Sequence, residues 1–348
     1  MTVTELPGTT ASPAAGRRVT PTARLILPAN ADRELWLQAR RRGIGSSDMA
    51  ALLGLSSYGN ELTVYYDKRG ELPLENDDSE PAYWGRSVEE NIARRWAASN
   101  RTAGRRIGLV ANVDRPWQMC TLDRRVIDCP INRGEQCALE VKQRHQMKAP
   151  MWRKGCPDDV LAQTLHQADV CGFDHMHVAV LIGSCDYRQF TVWVHEHEQL
   201  VADLRAAAGD LWQRIVDGRP PVITDAMEPG PLLDLYRRLH PERSGVVHID
   251  RDGDAQDALA DYLEARADVT AAEKRQKAAK ARLLAALGAA EMAVMGDRPA
   301  YSIEQRSKET PDLERLRERW PEAYADCVAD KPYDQISIPN AVRKAHAR

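Results

Sequence analysis

The sequence predicts an α+β fold, a mixed β-sheet flanked by helices, with a helix-rich module behind it. Three observations predict it. Short apolar or alternating runs at 107–113, 118–122, 126–127, 138–142, 178–183 and 190–194 have the length and period of strands. Amphipathic segments at 32–42, 87–98, 158–172 and 198–216 stand before, between and after them, giving the order helix, strand group, helix, strand pair, helix. Beyond Val222 the composition shifts, and 254–287 is rich in Ala, Leu, Glu, Lys and Arg with charges throughout, as in a long exposed or coiled-coil helix.

In chain order, residues 1–28 are rich in Thr, Pro, Ala and Gly without an apolar period and read as a flexible leader. Residues 29–220 form the expected core, and 221–348 the C-terminal helical module with a small hairpin at 295–299 and a last strand at 335–338. The first helix starts behind a cap at Asn30 or Asp32, carries Leu35, Trp36 and Ala39 inward, and breaks at Gly43-Ile44-Gly45-Ser46-Ser47-Asp48. That break reads equally as a phosphate cradle, from amides, hydroxyls and nearby arginines, or as plain capping of the short helix after it. An acidic, proline-bearing loop at 70–81 precedes the helix at 87–98. There Glu89 shares a stripe with Ile92, Ala93 and Trp96, whereas Glu90 lies one turn from Arg94. A carboxylate on a buried stripe needs a cation, so Glu89 is the candidate for an active pocket and Glu90 for a surface ion pair.

The chemistry concentrates in 118–144. In a strand Glu140 and Lys142 point one way and Val141 the other, and a hairpin through 128–134 brings Asp123 opposite Glu140. Two converging carboxylates make a site for Mg²⁺ or Mn²⁺, and an adjacent lysine orients water, which suits phosphodiester hydrolysis. The same triplet also occurs as solvated charge in exposed strands. On the helix at 158–172, Gln163 and Gln167 form a polar row beside the apolar Leu161, Leu165 and Ala168. Amides there hold a nucleotide or the lysine, or mark a boundary between core and surface.

Composition bounds the partners. With 348 residues and a net charge of -3, any contact with nucleic acid must come from local clusters such as Arg40-Arg41-Arg42, 101–106 and 142–154. Seven scattered cysteines without a C-x-x-C pair fit reduced thiols in the cytoplasm, and no iron–sulfur cluster is expected. No apolar run is long enough to span a bilayer, so no membrane partner is expected. His195 and His197 read as solvated strand-end histidines.

Four motifs in register resemble the phage-type alkaline exonucleases, or YqaJ-type viral recombinases, of the PD-(D/E)xK superfamily: WLQARRRGIGSSD at 36–48, YWGRSVE at 83–89, Asp123 with Glu140-Val141-Lys142, and Ala162-Gln163 through Cys171-Gly172. The resemblance implies a restriction-endonuclease-like core and Mg²⁺-dependent (or Mn²⁺-dependent) 5′ to 3′ exonuclease activity on linear double-stranded DNA. The resulting 3′ overhangs would pass to a single-strand annealing protein in a bacterial host cell. It implies that Asp123, Glu140 and the Val141 carbonyl bind metal, that Lys142 positions the attacking water, and that Glu89 and Gln163 support the site. Arg40, Ser47 and Thr121 fall where the family builds its 5′-phosphate pocket. Some relatives encircle DNA as trimers, so the resemblance makes a homo-oligomer, a trimeric ring, one expected assembly, with a different assembly set by the C-terminal module as the other. The chain departs from the family in having Leu122 and Arg124 in place of the usual Pro and Gly, and in a longer hairpin to Glu140. Arg124 is thereby placed to crowd the metal or to contact DNA, and a catalytically weakened DNA-end-binding recombination scaffold stands as the alternative function.

Overall fold

The computed structural model describes residues 16–74, 79–329, 333 and 335–346. The first 15 residues of the expected leader and the centre of the acidic loop lie outside them. Two compact units appear, Met1–Glu242 and Arg243–Arg348.

The first unit opens with strand β1 (Ala23–Pro28), helix α1 (Arg33–Arg40), strand β2 (Ile44–Gly45), helices α2 (Met49–Leu52), α3 (Glu61–Lys68) and α4 (Glu80–Ser99). Strands β3 (Gly104–Arg105), β4 (Gly108–Asn112), β5 (Gln118–Leu122), β6 (Arg124–Val126) and β7 (Ala138–Arg144) follow. Helix α5 (Asp158–Cys171), strands β8 (His175–Ile182) and β9 (Asp186–Trp193), and helices α6 (Glu198–Asp217) and α7 (Pro229–Leu239) complete it. The strands form two sheets, one ordered β1-β4-β5-β2 and the other β3-β6-β7-β8-β9. The second is mixed: β6 and β7 pair antiparallel, β7 and β8 parallel, β8 and β9 antiparallel. The α+β plan with helices on mixed sheets is therefore the observed one, although the strands divide between two sheets where the sequence suggests one.

Alternation along the strands sorts the core. On β8, Val178, Val180 and Ile182 pack with Val160, Ala162 and Leu165 of α5 and Val201, Leu204 and Leu211 of α6. Leu139 and Val141 of β7, with Ala179 of β8, face Ile92, Ala93 and Trp96 of α4 instead. Glu140 and Lys142, one residue out of phase, are thereby turned away from α4. Gly172, at φ 71°, closes α5 in the left-handed conformation that glycine adopts without a Cβ clash.

Three boundaries differ from the sequence expectation. The described end of the leader is not free chain: β1 pairs with β4 from Ala23↔Asn112 to Pro28↔Gly108, and Ala23 is fully buried. The short run Ala-Arg-Leu-Ile-Leu-Pro is too brief to show a period alone and is fixed by its partner strand. Helix α7 sets Leu235 against Leu62 and Leu72, so the first compact unit continues past 220 to Glu242. Residues 194–196 form a 3-10 turn rather than a strand end, which takes His195 and His197 out of strand alternation.

The second unit contains α8 (Gly253–Leu287), a hairpin of β10 (Met292–Met295) with β11 (Arg298–Ser302), α9 (Leu313–Arg319), α10 (Pro321–Cys327) and α11 (Asn340–His346). Helix α8 has 35 residues and buries only Leu287, consistent with the long exposed helix expected. Gln335 to Ile338 is not a strand. Its apolar alternation finds no ladder partner, and the β10–β11 sheet remains two-stranded.

Candidate active site at the junction of two sheets

Asp123 is the single residue between β5 and β6, the point where the chain leaves one sheet for the other. The β6–β7 register, Arg124↔Leu139, carried one residue further, sets Asp123 opposite Glu140. The Val141 amide donates to Asp123 Oδ2 at 2.7 Å. Burial first, and then the Glu140 charge, push the Asp123 carboxyl well above its ordinary range, against the opposing pull of Lys142 and the Val141 amide.

Glu140 is 2% exposed and fully engaged. Lys142 Nζ and Gln163 Nε2 donate to its Oε1, the latter at 2.7 Å, and Gln167 Nε2 donates to Oε2 at 2.7 Å. Gln163 Oε1 in turn accepts from Lys142 Nζ at 2.9 Å, so one amide grips both members of the E-x-K pair. Gln167 also donates to the Thr121 carbonyl at 3.1 Å, linking α5 to β5. The sequence reading placed Gln163 in the site and left Gln167 in the polar row. The signal was present, since residues four apart share a helix face and both amides therefore reach the same strand.

Glu89 lies on the less exposed side of α4, as its stripe predicts, but its partners are arginines. Its Oε1 accepts from Arg124 Nη1 at 2.6 Å and from Arg106 Nη2 at 3.2 Å. Glu90 pairs with Arg94 at 2.8 Å, as expected, and also with Arg124 Nη2 at 2.7 Å. Arg124 is 5% exposed and spans both glutamates, donating as well to the Asp123 carbonyl. It thus ties α4 to the strand entering the site, and this salt-bridged position is where the residue departing from the family pattern sits.

A cavity of about 240 Å³ joins this centre to the opening motif, lined among others by Trp36, Arg40, Ser47, Thr121, Asp123 and Gln163. Arg40 Nη2 donates to Ser47 Oγ at 2.6 Å, and its guanidinium lies 4.7 Å from the centre of the Trp36 ring. Asp48, which sequence reasoning left as a helix cap, pairs with Lys68 Nζ at 2.7 Å and accepts from the Gly45 amide at 2.7 Å. Lys68 also reaches the Arg40 carbonyl at 3.2 Å. Arg41, by contrast, is committed to Asp67 and the Leu72 carbonyl and serves the fold.

The donor set suits a divalent ion. Asp123 and Glu140 offer hard carboxylate oxygens, Glu140 buried and Asp123 at the cavity wall, and the raised Asp123 carboxyl reflects loss of solvation and then the neighbouring acid, both of which a cation would relieve.

Residues 35–174 match the model of the YqaJ-like viral recombinase domain. The chain is 22% identical over 322 residues to the uncharacterized protein YqaJ of Bacillus subtilis, a match covering 90% of this chain and 97% of that one. Among solved structures it is similar to an alkaline exonuclease from Laribacter hongkongensis, at 12% identity, TM-score 0.42, over 53% of this chain and 93% of that one. The same exonuclease in complex with dAMP gives a TM-score of 0.43 at the same identity and coverage. The opening motif, the paired acids and the glutamine helix all lie inside the span that is similar to the YqaJ-like viral recombinase domain.

Proposed function

We propose that the protein is a metal-dependent 5′ to 3′ exonuclease that digests linear double-stranded DNA and leaves 3′ overhangs for a single-strand annealing protein. The observation carrying this reading is the convergence of Asp123, Glu140, Lys142 and Gln163 beside a cavity that Asp123 and Gln163 line together with Arg40 and Ser47. Asp123, Glu140 and the Val141 carbonyl would hold Mg²⁺ or Mn²⁺, which when bound offsets the charge developing on the phosphate and makes a water easier to deprotonate.

The chain's own residues do the rest. Gln163 holds Lys142 beside Glu140, so the ammonium is fixed where it orients the attacking water. Gln167 keeps Glu140 in place from the other oxygen. Arg40, backed by Trp36 and Ser47, receives the terminal 5′-phosphate and sets the register of the strand; Thr121 lines the path between. Arg124 and Glu89 brace the strand carrying Asp123 from the α4 side.

A strand-labelled digestion assay with and without Mg²⁺ tests the reading. Mononucleotides released from 5′-phosphorylated ends only when metal is present support it. Digestion from 3′ ends, or metal-dependent DNA binding without cleavage, as expected of an end-binding scaffold, would overturn it.

A further inference from the structure

Sequence spacing scatters the cysteines, but the fold gathers two of them with two histidines. Cys129 and Cys137 stand near the two ends of the connection between β6 and β7, while His175 and His177 alternate onto one face of β8. Each is at most 3% exposed. Cys129 Sγ lies 3.1 Å from His175 Nε2 and 3.7 Å from His177 Nε2, and one ligand atom from each of the four residues lies within 4.8 Å of all the others. Among the described residues, this is the one group of three or more Cys, His, Asp or Glu whose ligand atoms converge so closely.

We propose that Cys129, Cys137, His175 and His177 form a structural zinc site, separate from the carboxylate centre. A tetrahedral zinc with sulfur ligands near 2.3 Å and nitrogen ligands near 2.0 Å has ligand-to-ligand edges of about 3.3 to 3.8 Å. The two sulfur-to-nitrogen spacings, 3.1 and 3.7 Å, fall on either side of the roughly 3.5 Å expected for a sulfur–nitrogen edge, and side-chain shifts of about an ångström close the rest. Charge also fits the position: two thiolates cancel Zn²⁺, so the completed centre is neutral and suits a core of Ile92, Trp96, Val126 and Leu139. Zinc entry exchanges two thiol protons, released to solvent, for two metal–sulfur bonds.

The surroundings orient the ligands. Thr191 Oγ1 lies 3.3 Å from His177 Nδ1, fixing the ring so that Nε2 turns to the thiols. The Trp96 and Trp193 rings lie 5.0 and 4.9 Å from the His177 and His175 rings and shield them from water. His175 Nδ1 has no hydrogen-bond partner, so its Nε2 side is what anchors this fully buried imidazole. A two-iron cluster is a worse fit. It would place the cysteine pair and the histidine pair on different metal atoms, farther apart than the 3.1 Å observed.

Cys137 directly precedes β7, with Glu140 three residues on, so the metal would pin the root of the catalytic strand to β8. Metal analysis of the full-length protein, purified reduced and without a metal affinity column, tests the site. The expected result is one zinc per chain that survives dialysis against EDTA and is released when a mercurial titrates the thiols. Replacement with Co²⁺ should give the intense visible bands of a tetrahedral site and thiolate charge-transfer absorption. C129S/C137S should lose the zinc and lower the melting temperature by on the order of 10 °C, whereas C171A, at the other buried cysteine pair, should keep it. Only trace zinc in the wild type, iron in its place, or a Co²⁺ spectrum without thiolate bands would overturn the assignment, and none of these depends on the double variant folding.

Discussion

Lys142 has two partners, Glu140 and Gln163, and the difference between them sorts what each residue does. Replacing Lys142 with Ala removes the ammonium proposed to orient the attacking water, and under that proposal cleavage is expected to fall by about 10²- to 10⁴-fold, with DNA binding retained in a gel-shift assay; digestion at the wild-type rate would remove the assigned role. Gln167→Leu instead leaves Glu140 Oε2 without its buried donor. It should cost about 1–3 kcal/mol of stability, read by urea unfolding. Arg40→Gln should lower the preference for 5′-phosphate over 5′-hydroxyl ends, measured as a ratio of rates on the two substrates.

Asp48 gives a pH signature at the same scale. Burial pushes its carboxyl up, but Lys68, Arg40 and the Gly45 amide outweigh burial and hold it below its ordinary value. A depressed acid adds stability at pH above its unfolded value, about 3.9, and that stability is lost as pH falls through the folded value. Lys68→Met removes the nearer of the two cations beside this carboxylate, leaving Arg40 at 3.4 Å and the Gly45 amide, and should cost about 1–3 kcal/mol at neutral pH. The gap from wild type should narrow on acidification towards pH 4, as Asp48 takes up a proton; a gap indifferent to pH would show that the pair is not its source.

Elements were legible where their own sequence carried the signal. Strand β7, with Glu140 and Lys142 on one face, follows from alternation, and α5 from its apolar stripe and the glycine that ends it, although Pro157 and not Asp158 or Asp159 stands at its N-cap. Strand β1 was not legible, because six residues on their own show no period until β4 lies beside them. Gly108 shows how close that pairing is. At φ 111°, an added Cβ would stand 2.2 Å from the Leu27 carbonyl oxygen, and the neighbouring atoms are also backbone. Gly108→Ala should therefore destabilise by more than about 1 kcal/mol, visible as a lower melting temperature. The Cys and His cluster was hidden for a related reason: its ligands come from segments that no local spacing joins. The partners of Arg124 were hidden too, since a helix and a strand far apart in sequence must meet before its ion pairs exist.

For the whole molecule, the first compact unit ends at Glu242 because Leu235, 1% exposed, fills the space beside Leu62 and Leu72. A chain stopped after residue 220 should unfold at lower urea concentration than one stopped after 242, by about 2–5 kcal/mol; equal midpoints would show that α7 adds nothing. The separate second unit, with its mostly exposed α8, was legible in outline from composition alone, though its supposed last strand was not formed.

The passage of the chain through Asp123 has a mechanical consequence. Ser47 lies two residues after β2, which shares a platform with β5, whereas Glu140 and Lys142 ride on β7 in the neighbouring platform. Gripping a DNA terminus and breaking its backbone would thus be assigned to two bodies coupled through one carboxylate-bearing joint and the Gln167 strut beside it. A tilt of either body shifts Asp123 relative to Glu140, so a correctly seated end would complete the cutting geometry and a poorly seated one would leave it ajar.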